Sequence, residues 1–79
     1  MPTAFVLINA ESGSEADVLK ELKKVEGVAE AFSVYGTYDI VAKVTLDSMD
    51  RLKEILTYRI RRLDKVRATL TLMGVEETE

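Results

Sequence analysis

The sequence contains no cysteine, no histidine and no tryptophan, and it has a single proline. Without cysteine the chain can form no disulfide, and without cysteine or histidine it lacks the usual zinc ligands and the Cys/His nucleophile chemistry of many enzymes. The serines at Ser12, Ser14 and Ser48 come just before predicted helices, where helix capping explains them. We therefore expect no enzyme activity, no metal and no cofactor.

The chain also lacks an excess of positive charge and any long apolar run. A net charge of −3 and a pI near 5.0 argue against nucleic-acid and anionic-membrane binding. No apolar run approaches the roughly 20 residues of a membrane span, and the first five residues carry no basic side chain of the kind that begins a signal peptide. We expect a cytoplasmic protein. The absence of glutamine, with abundant Glu, Lys and Arg, favours a thermophilic source.

The length and composition of the chain are those of one small folded domain. The 79 residues are 47% hydrophobic and 32% charged, which is typical of a globular protein. A domain this short often needs disulfides, a metal or self-association for stability. Since the composition excludes disulfides and the usual zinc ligands, we expect a homo-oligomer.

The centre of the chain predicts a β-hairpin. Alternating apolar and β-branched residues at 28–35 and 38–46 flank Gly36 and Thr37, and glycine at the first central position is typical of a two-residue type II′ turn. This turn sets the pairing of the two strands. The predicted pairs are Tyr35 with Tyr38, Val34 with Asp39, Phe32 with Val41, and Glu30 with Lys43. The last pair joins opposite charges across the strands, which supports the register.

Four further elements complete the pattern. Residues 3–9 predict a strand that is apolar on both faces, and residues 66–75 predict another by alternation. Apolar positions at helical spacing predict helices after Ser14 and after Ser48, with Gly27 ending the first. The order β-α-β-β-α-β predicts an α+β, ferredoxin-like fold. In it, a four-stranded antiparallel sheet carries both helices on one face.

The hairpin register divides the side chains between the two faces of the sheet. We assign the smaller ones to the helix-covered core: Ala29, Ala31, Ile40, Ala42 and Val44. The open face is expected to hold a second set: Glu30, Phe32, Val34, Val41 and Lys43, with Thr69, Thr71 and Met73 from the last strand. An apolar open face of this size usually marks an interface. We expect two chains to dimerise through their sheets.

Two binding functions are compatible with this topology. RNA-recognition modules share it, but they stack bases on aromatic residues of their central strands, and residues 38–46 place none on the open face. The basic residues between Arg59 and Arg67 are explained more simply as cations near a helix C-terminus. A free amino acid fits the hairpin better, because Asp39 offers an anion for its ammonium group and threonines offer hydroxyl donors. The alternative is that Gly36, Asp39 and the threonines are only turn and strand residues.

Two motifs give the chain a family resemblance. Gly36, Tyr38 and Asp39 form a G-x-Y-D element, and Thr69 and Thr71 form a T-x-T element in the last strand. With the element order, they make residues 2–76 resemble the effector-binding domain of Lrp/AsnC transcription regulators, also called the RAM domain.

The resemblance implies sheet-mediated dimers joined into rings, commonly octamers, with an amino-acid effector bound between dimers. Seven residues would line that effector site: Tyr35, Gly36, Thr37, Tyr38, Asp39, Thr69 and Thr71. Asp39 would bind the ammonium group of the effector.

Family regulators also carry an N-terminal helix-turn-helix domain, whereas this chain begins at the first predicted strand. The resemblance therefore implies a stand-alone module, residues 1–79, that acts on transcription or amino-acid metabolism without contacting DNA. It could do so by mixed assembly with full-length Lrp/AsnC regulators. Two alternatives remain: a purely structural oligomerisation module with a vestigial site, and an ACT-like regulatory domain, which has the same topology.

Overall fold

The chain folds in the predicted β-α-β-β-α-β order, as seen in a computed structural model that describes residues 1–74. The elements are β1 (Thr3–Ala10), α1 (Glu15–Leu22), β2 (Val28–Ser33), β3 (Ile40–Thr45), α2 (Met49–Ile55), a π-helical segment continuing it (Leu56–Ile60) and β4 (Val66–Met73). The strands form one antiparallel sheet in the order β2-β3-β1-β4. The ferredoxin-like prediction is confirmed. Val75, where the last strand was predicted to end, lies outside the described residues.

One face of the sheet packs against both helices and forms the core. Alternate residues of β1 and β3 point to this face, and all of them are buried: Ala4, Val6, Ile8, Ala10, Ile40, Ala42 and Val44. Val18 and Leu22 of α1 and Leu52 and Ile55 of α2 complete the same apolar cluster. Among the described residues, no helix is both long and apolar enough to cross a membrane.

The two predicted helix starts differ in how they are capped. Ser48 accepts a hydrogen bond through its Oγ from the backbone N–H of Arg51, at 3.2 Å, which satisfies one of the free donors of the first turn. Ser14 precedes α1 but makes no such side-chain bond. The sequence signal was the same at both sites, and the local backbone decided which serine caps.

The predicted register of β2 and β3 is confirmed within the strands. Glu30 lies opposite Lys43, and Phe32 lies opposite Val41. A β-bulge between Val28 and Glu30 interrupts the alternation. The prediction that Ala29 faces the core is therefore wrong, and its side chain is exposed.

The connection between β2 and β3 is longer than the predicted two-residue turn. The strands end at Ser33 and resume at Ile40, although the N–H of Val34 still donates to the carbonyl of Asp39 at 2.9 Å. Gly36 has φ +130°, positive as predicted but far from the roughly +60° of a type II′ turn. The prediction of a two-residue turn is therefore wrong. The backbone N–H of Asp39 is instead hydrogen-bonded to β1, since it donates to the carbonyl of Ile8 at 2.9 Å.

The predicted faces of β4 were reversed. Leu70 pairs with Leu7 and Leu72 pairs with Phe5, and directly opposite residues share a face of the sheet. Leu70 and Leu72 therefore lie on the open face. Thr69, Thr71 and Met73 lie on the helix side, at the edge of the sheet, opposite the buried residues Ile8, Val6 and Ala4 of β1.

The open face carries an apolar row that crosses all four strands. One row of opposite residues runs from Phe32 through Val41 and Leu7 to Leu70. A neighbouring row contains Phe5 and Leu72 and continues through the charged pair of Lys43 and Glu30. Phe32 is 55% exposed and Leu72 is 50% exposed, so large apolar side chains are grouped on this face beside one charged pair.

Candidate functional site

Asp39 is the most constrained of the predicted site residues. Its backbone N–H is bonded to Ile8, and its Oδ2 accepts a hydrogen bond from the backbone N–H of Ala10 at 2.9 Å. Both bonds tie the start of β3 to the end of β1. The carboxylate is half-buried, and its other oxygen, Oδ1, has no hydrogen-bond partner among residues 1–74. Asp39 therefore has one oxygen with a structural role and one available to a ligand.

A polar groove of about 460 Å³ opens beside this carboxylate, and we call it the Asp39 groove. Its wall brings together two carboxylates, from Glu15 and Asp39, and one guanidinium, from Arg67. Ser12 and Thr37 add hydroxyl groups to the same wall. Charges of both signs and neutral donors thus converge on a space large enough for a small zwitterion.

A second groove of about 400 Å³, which we call the Tyr35 groove, is also lined by Asp39. Its lining includes Val34 and Tyr35 and is more apolar than that of the Asp39 groove. Glu15 and Asp39 line both grooves. A ligand held at these two carboxylates could therefore extend an apolar group toward Val34.

The seven predicted site residues are distributed over several places. Thr37 and Asp39 line the Asp39 groove, and Tyr35 and Asp39 line the Tyr35 groove. Thr69 lines a third groove, with Arg61 and Arg67. The remaining three line none of these grooves: Gly36, Tyr38 and Thr71. Tyr35 is fully exposed, so its ring contacts little of its own chain.

The two threonines of β4 do not meet the hairpin loop within one chain. Thr69 and Ile40 both pair with Ile8, from opposite sides, so about two strand spacings, or roughly 10 Å, separate their Cα atoms. Thr71 lies two residues farther along β4 from the loop, roughly 7 Å away from Thr69. Neither threonine lines the Asp39 groove or the Tyr35 groove.

Two residues of the Asp39 groove were missed by the sequence analysis. Glu15 is the first residue of α1, where an acidic side chain is explained by the helix dipole. Arg67 was grouped with the basic residues near a helix C-terminus. The signal that could have found them is topological, because the end of β1, the start of β3 and the start of β4 lie at the same end of the sheet.

The described residues contain no group of three acidic side chains placed to hold a metal ion. Away from the grooves at this end of the sheet, Arg51 is hydrogen-bonded to the carboxylate of Glu26 at 2.6 Å. This bond, with the attraction between the two charges, raises the pKa of Arg51 above its usual value. Arg51 is not part of the Asp39 groove.

Comparison with protein families gives a match over nearly the whole chain. The family model described as the Lrp/AsnC ligand binding domain matches residues 3–78. A curated relative, an uncharacterised HTH-type transcriptional regulator of Pyrococcus furiosus, is 31% identical over 75 residues. That match covers 91% of this chain and 50% of the relative, so this chain spans about half the length of the regulator.

Solved structures agree with this match. A protein of Thermus thermophilus superimposes with a TM-score of 0.91 at 34% identity, covering 100% of this chain and 99% of that chain. The feast or famine regulatory protein of M. tuberculosis, solved in complex with L-methionine, superimposes with a TM-score of 0.78 at 29% identity. That match covers 100% of this chain and 53% of the regulator.

Proposed function

This chain belongs to the Lrp/AsnC ligand-binding domain family, and we propose that it is an amino-acid-binding, oligomer-forming regulatory module. Its curated relative is a transcriptional regulator, so the proposed output is control of transcription or of amino-acid metabolism, exerted in the cytoplasm. The module acts without catalysis and without contacting DNA itself. The family match replaces the ACT-like alternative.

The observation that carries this proposal is the charge arrangement of the Asp39 groove. A free amino acid needs an acceptor for its ammonium group and donors for its carboxylate. Asp39 Oδ1 and the carboxylate of Glu15 supply the acceptors, and the guanidinium of Arg67 and the hydroxyl of Thr37 supply the donors. The M. tuberculosis relative was solved with L-methionine, which supports the same ligand class here.

We propose an orientation for the bound amino acid. With its ammonium group at Asp39 and its carboxylate toward Arg67, its side chain points to the Tyr35 groove, which Val34 makes partly apolar. The remaining predicted contacts, from Thr69 and Thr71, would come from a neighbouring subunit, because within one chain neither threonine lines the two grooves beside Asp39.

Self-association is the second part of the proposal. The open face exposes Phe5, Phe32, Leu70 and Leu72, and a second copy of the same face would remove these side chains from water. We propose that dimers form through this face and join into rings such as octamers. Mixed assembly with full-length Lrp/AsnC regulators would use the same surfaces.

Calorimetric titration of the assembled protein with each of the twenty amino acids tests the binding proposal. We expect one or a few to bind, and Asp39→Asn to weaken that binding by about tenfold or more because the ammonium group loses its counter-charge. Asp47→Asn is the matched control, since it removes the same charge beyond the other end of β3. An intact oligomer that binds none of the twenty would refute the sensing function.

A structural module with a vestigial site is the second candidate, and one observation favours it. The hydrogen bond from Ala10 to Asp39 already gives the carboxylate a role in joining β1 to β3 without any ligand. In that case Asp39→Asn changes stability or assembly alone, and no amino acid alters the melting temperature.

A further inference from the structure

Five basic side chains lie within nine residues of a chain that is acidic overall. They surround the turn that leads into β4 and are accompanied by one acidic residue, Asp64. The five are Arg59, Arg61, Arg62, Lys65 and Arg67. From the sequence, they are explained as cations near a helix C-terminus. In the structure, the five side chains have different neighbours.

Three of the five contact other parts of the surface. The Nζ of Lys65 lies 3.6 Å from a carboxylate oxygen of Asp17. The guanidinium of Arg62 lies over the ring of Tyr58, 5.4 Å from its centroid. Arg59 lines a groove whose wall includes the carboxylates of Glu26 and Glu54.

Arg61 and Arg67 share a further groove, although Arg67 also lines the Asp39 groove beside Glu15 and Asp39. Both line a groove of about 290 Å³, and no carboxylate belongs to its lining. Among residues 1–74, neither arginine has a carboxylate oxygen within 4.0 Å. Two like charges facing one small space repel each other, and an anion between them would relieve that repulsion.

The other groups around this groove are also suited to an anion. Thr69 contributes a hydroxyl group, which can donate a hydrogen bond. β4 is an edge strand, so the backbone N–H groups on its outer side have no neighbouring strand to pair with in the described chain. Val66 and Ala68 complete the lining with small apolar surfaces.

From this convergence we propose that Arg61, Arg67 and Thr69 form a second ligand site, which binds the phosphate group of a small phosphorylated metabolite. Guanidinium groups bind phosphate oxygens through paired N–H donors, with a geometry that a lysine cannot supply. The hydroxyl of Thr69 would bind a further phosphate oxygen. This site shares Arg67 with the Asp39 groove, whereas Arg61 and Thr69 do not line that groove.

A free metabolite is a better occupant than the phosphate backbone of a nucleic acid. Non-specific nucleic-acid binding depends on many simultaneous phosphate contacts along a basic surface. Here the net charge is −3, and Lys65, Arg62 and Arg59 are already paired or placed beside carboxylates. The two arginines of one short groove match a single phosphate group.

Titration with inorganic phosphate, followed by ³¹P NMR at constant ionic strength, tests this site directly. We expect saturable line broadening or a shift with the unmodified protein, and at least about a tenfold loss of affinity in Arg61→Gln and in Arg67→Gln. Arg59→Gln is the matched control, because it removes the same charge from a neighbouring groove. It should bind phosphate as the unmodified protein does.

Several outcomes would overturn the proposal. These are no saturable phosphate binding, equal binding by Arg67→Gln and the unmodified protein, or an equal loss in Arg59→Gln, which would indicate general charge attraction. A duplex oligonucleotide is titrated in parallel. Tight binding of the duplex that depends on Arg61 and Arg67, without binding of phosphate, would identify a nucleic-acid contact instead. Because Arg61 does not line the Asp39 groove, the Arg61→Gln result separates this site from the function proposed for that groove.

Discussion

The carboxylate of Asp39 accepts a hydrogen bond from the backbone N–H of Ala10, with Oδ2 and the nitrogen 2.9 Å apart. This bond joins the last residue of the β2–β3 connection to the last residue of β1. It means that the residue best suited to bind an ammonium group is also part of the framework of the sheet. Any test of its binding role must therefore separate the charge from the hydrogen bond.

Two substitutions at Asp39 make that separation. Asp39→Ala removes both the charge and the acceptor for Ala10, and we expect it to lower the free energy of unfolding by about 1–3 kcal/mol. Asp39→Asn keeps an oxygen that can accept the bond, so it should cost about 1 kcal/mol or less. Urea denaturation measures both values. Equal stability losses in the two variants would show that the charge itself, and not the acceptor, holds β1.

We expect dimerisation through the open sheet face to be disrupted by a charge placed on that face. Leu70→Glu places a carboxylate in the row formed by Phe32, Val41 and Leu7, and we expect it to shift the protein toward a monomer because a dimer would bury that charge. Sedimentation velocity measures the change. Met49→Glu is the control, since Met49 is similarly exposed but lies at the start of α2. A Leu70→Glu protein of unchanged size would contradict dimerisation through this face.

The two helix-start serines predict different responses to the same substitution. Ser48→Ala removes the acceptor used by Arg51 and should cost about 1 kcal/mol of stability. Ser14→Ala removes no side-chain cap and should stay within about 0.5 kcal/mol of the original protein. Thermal or urea unfolding of both variants decides this. The opposite ranking would mean that the cap forms at α1 instead.

We expect alanine substitutions at Gly27 and Gly36 to lower stability by different amounts. Gly27 has φ +90°, and a Cβ there would collide with the side chain of Leu46, so Gly27→Ala combines backbone strain with a packing clash. Gly36 has φ +130° with no atom near the position of a Cβ, so Gly36→Ala carries backbone strain alone. We expect urea denaturation to show losses of about 2–4 kcal/mol and about 1 kcal/mol, respectively. Similar losses would mean that Leu46 moves aside freely.

We expect the two proposed ligands to weaken each other's binding through Arg67. It lines both the Asp39 groove and the groove that contains Arg61, so phosphate and an amino-acid carboxylate would compete for one guanidinium. We expect saturating phosphate to weaken amino-acid binding, and the amino acid to weaken phosphate binding by the same factor. Calorimetry in phosphate and in a phosphate-free buffer of equal ionic strength measures the effect. Unchanged affinities would show that Arg67 serves only one site.

The element order, the core face of β3 and the register between β2 and β3 could be predicted from the amino-acid sequence. These follow from local patterns: Glu30 and Lys43 could be paired by charge, and Ile40, Ala42 and Val44 alternate cleanly. The acidic balance and the lack of cysteine and histidine also restricted the possible chemistry. Such features depend on residues that are close along the chain or joined by one short connection.

Three features depend on contacts between distant parts of the chain: the open face of β4, the end of the β2–β3 connection, and the charges that meet in the Asp39 groove. β1 is apolar on both faces, so its own sequence did not show that Leu70 would lie beside Leu7 and not beside Ile8. Glu15, Asp39 and Arg67 are far apart in sequence, and they meet because the ends of three elements lie at one edge of the sheet. A local pattern fixes periodicity, whereas long-range register fixes which residues become neighbours.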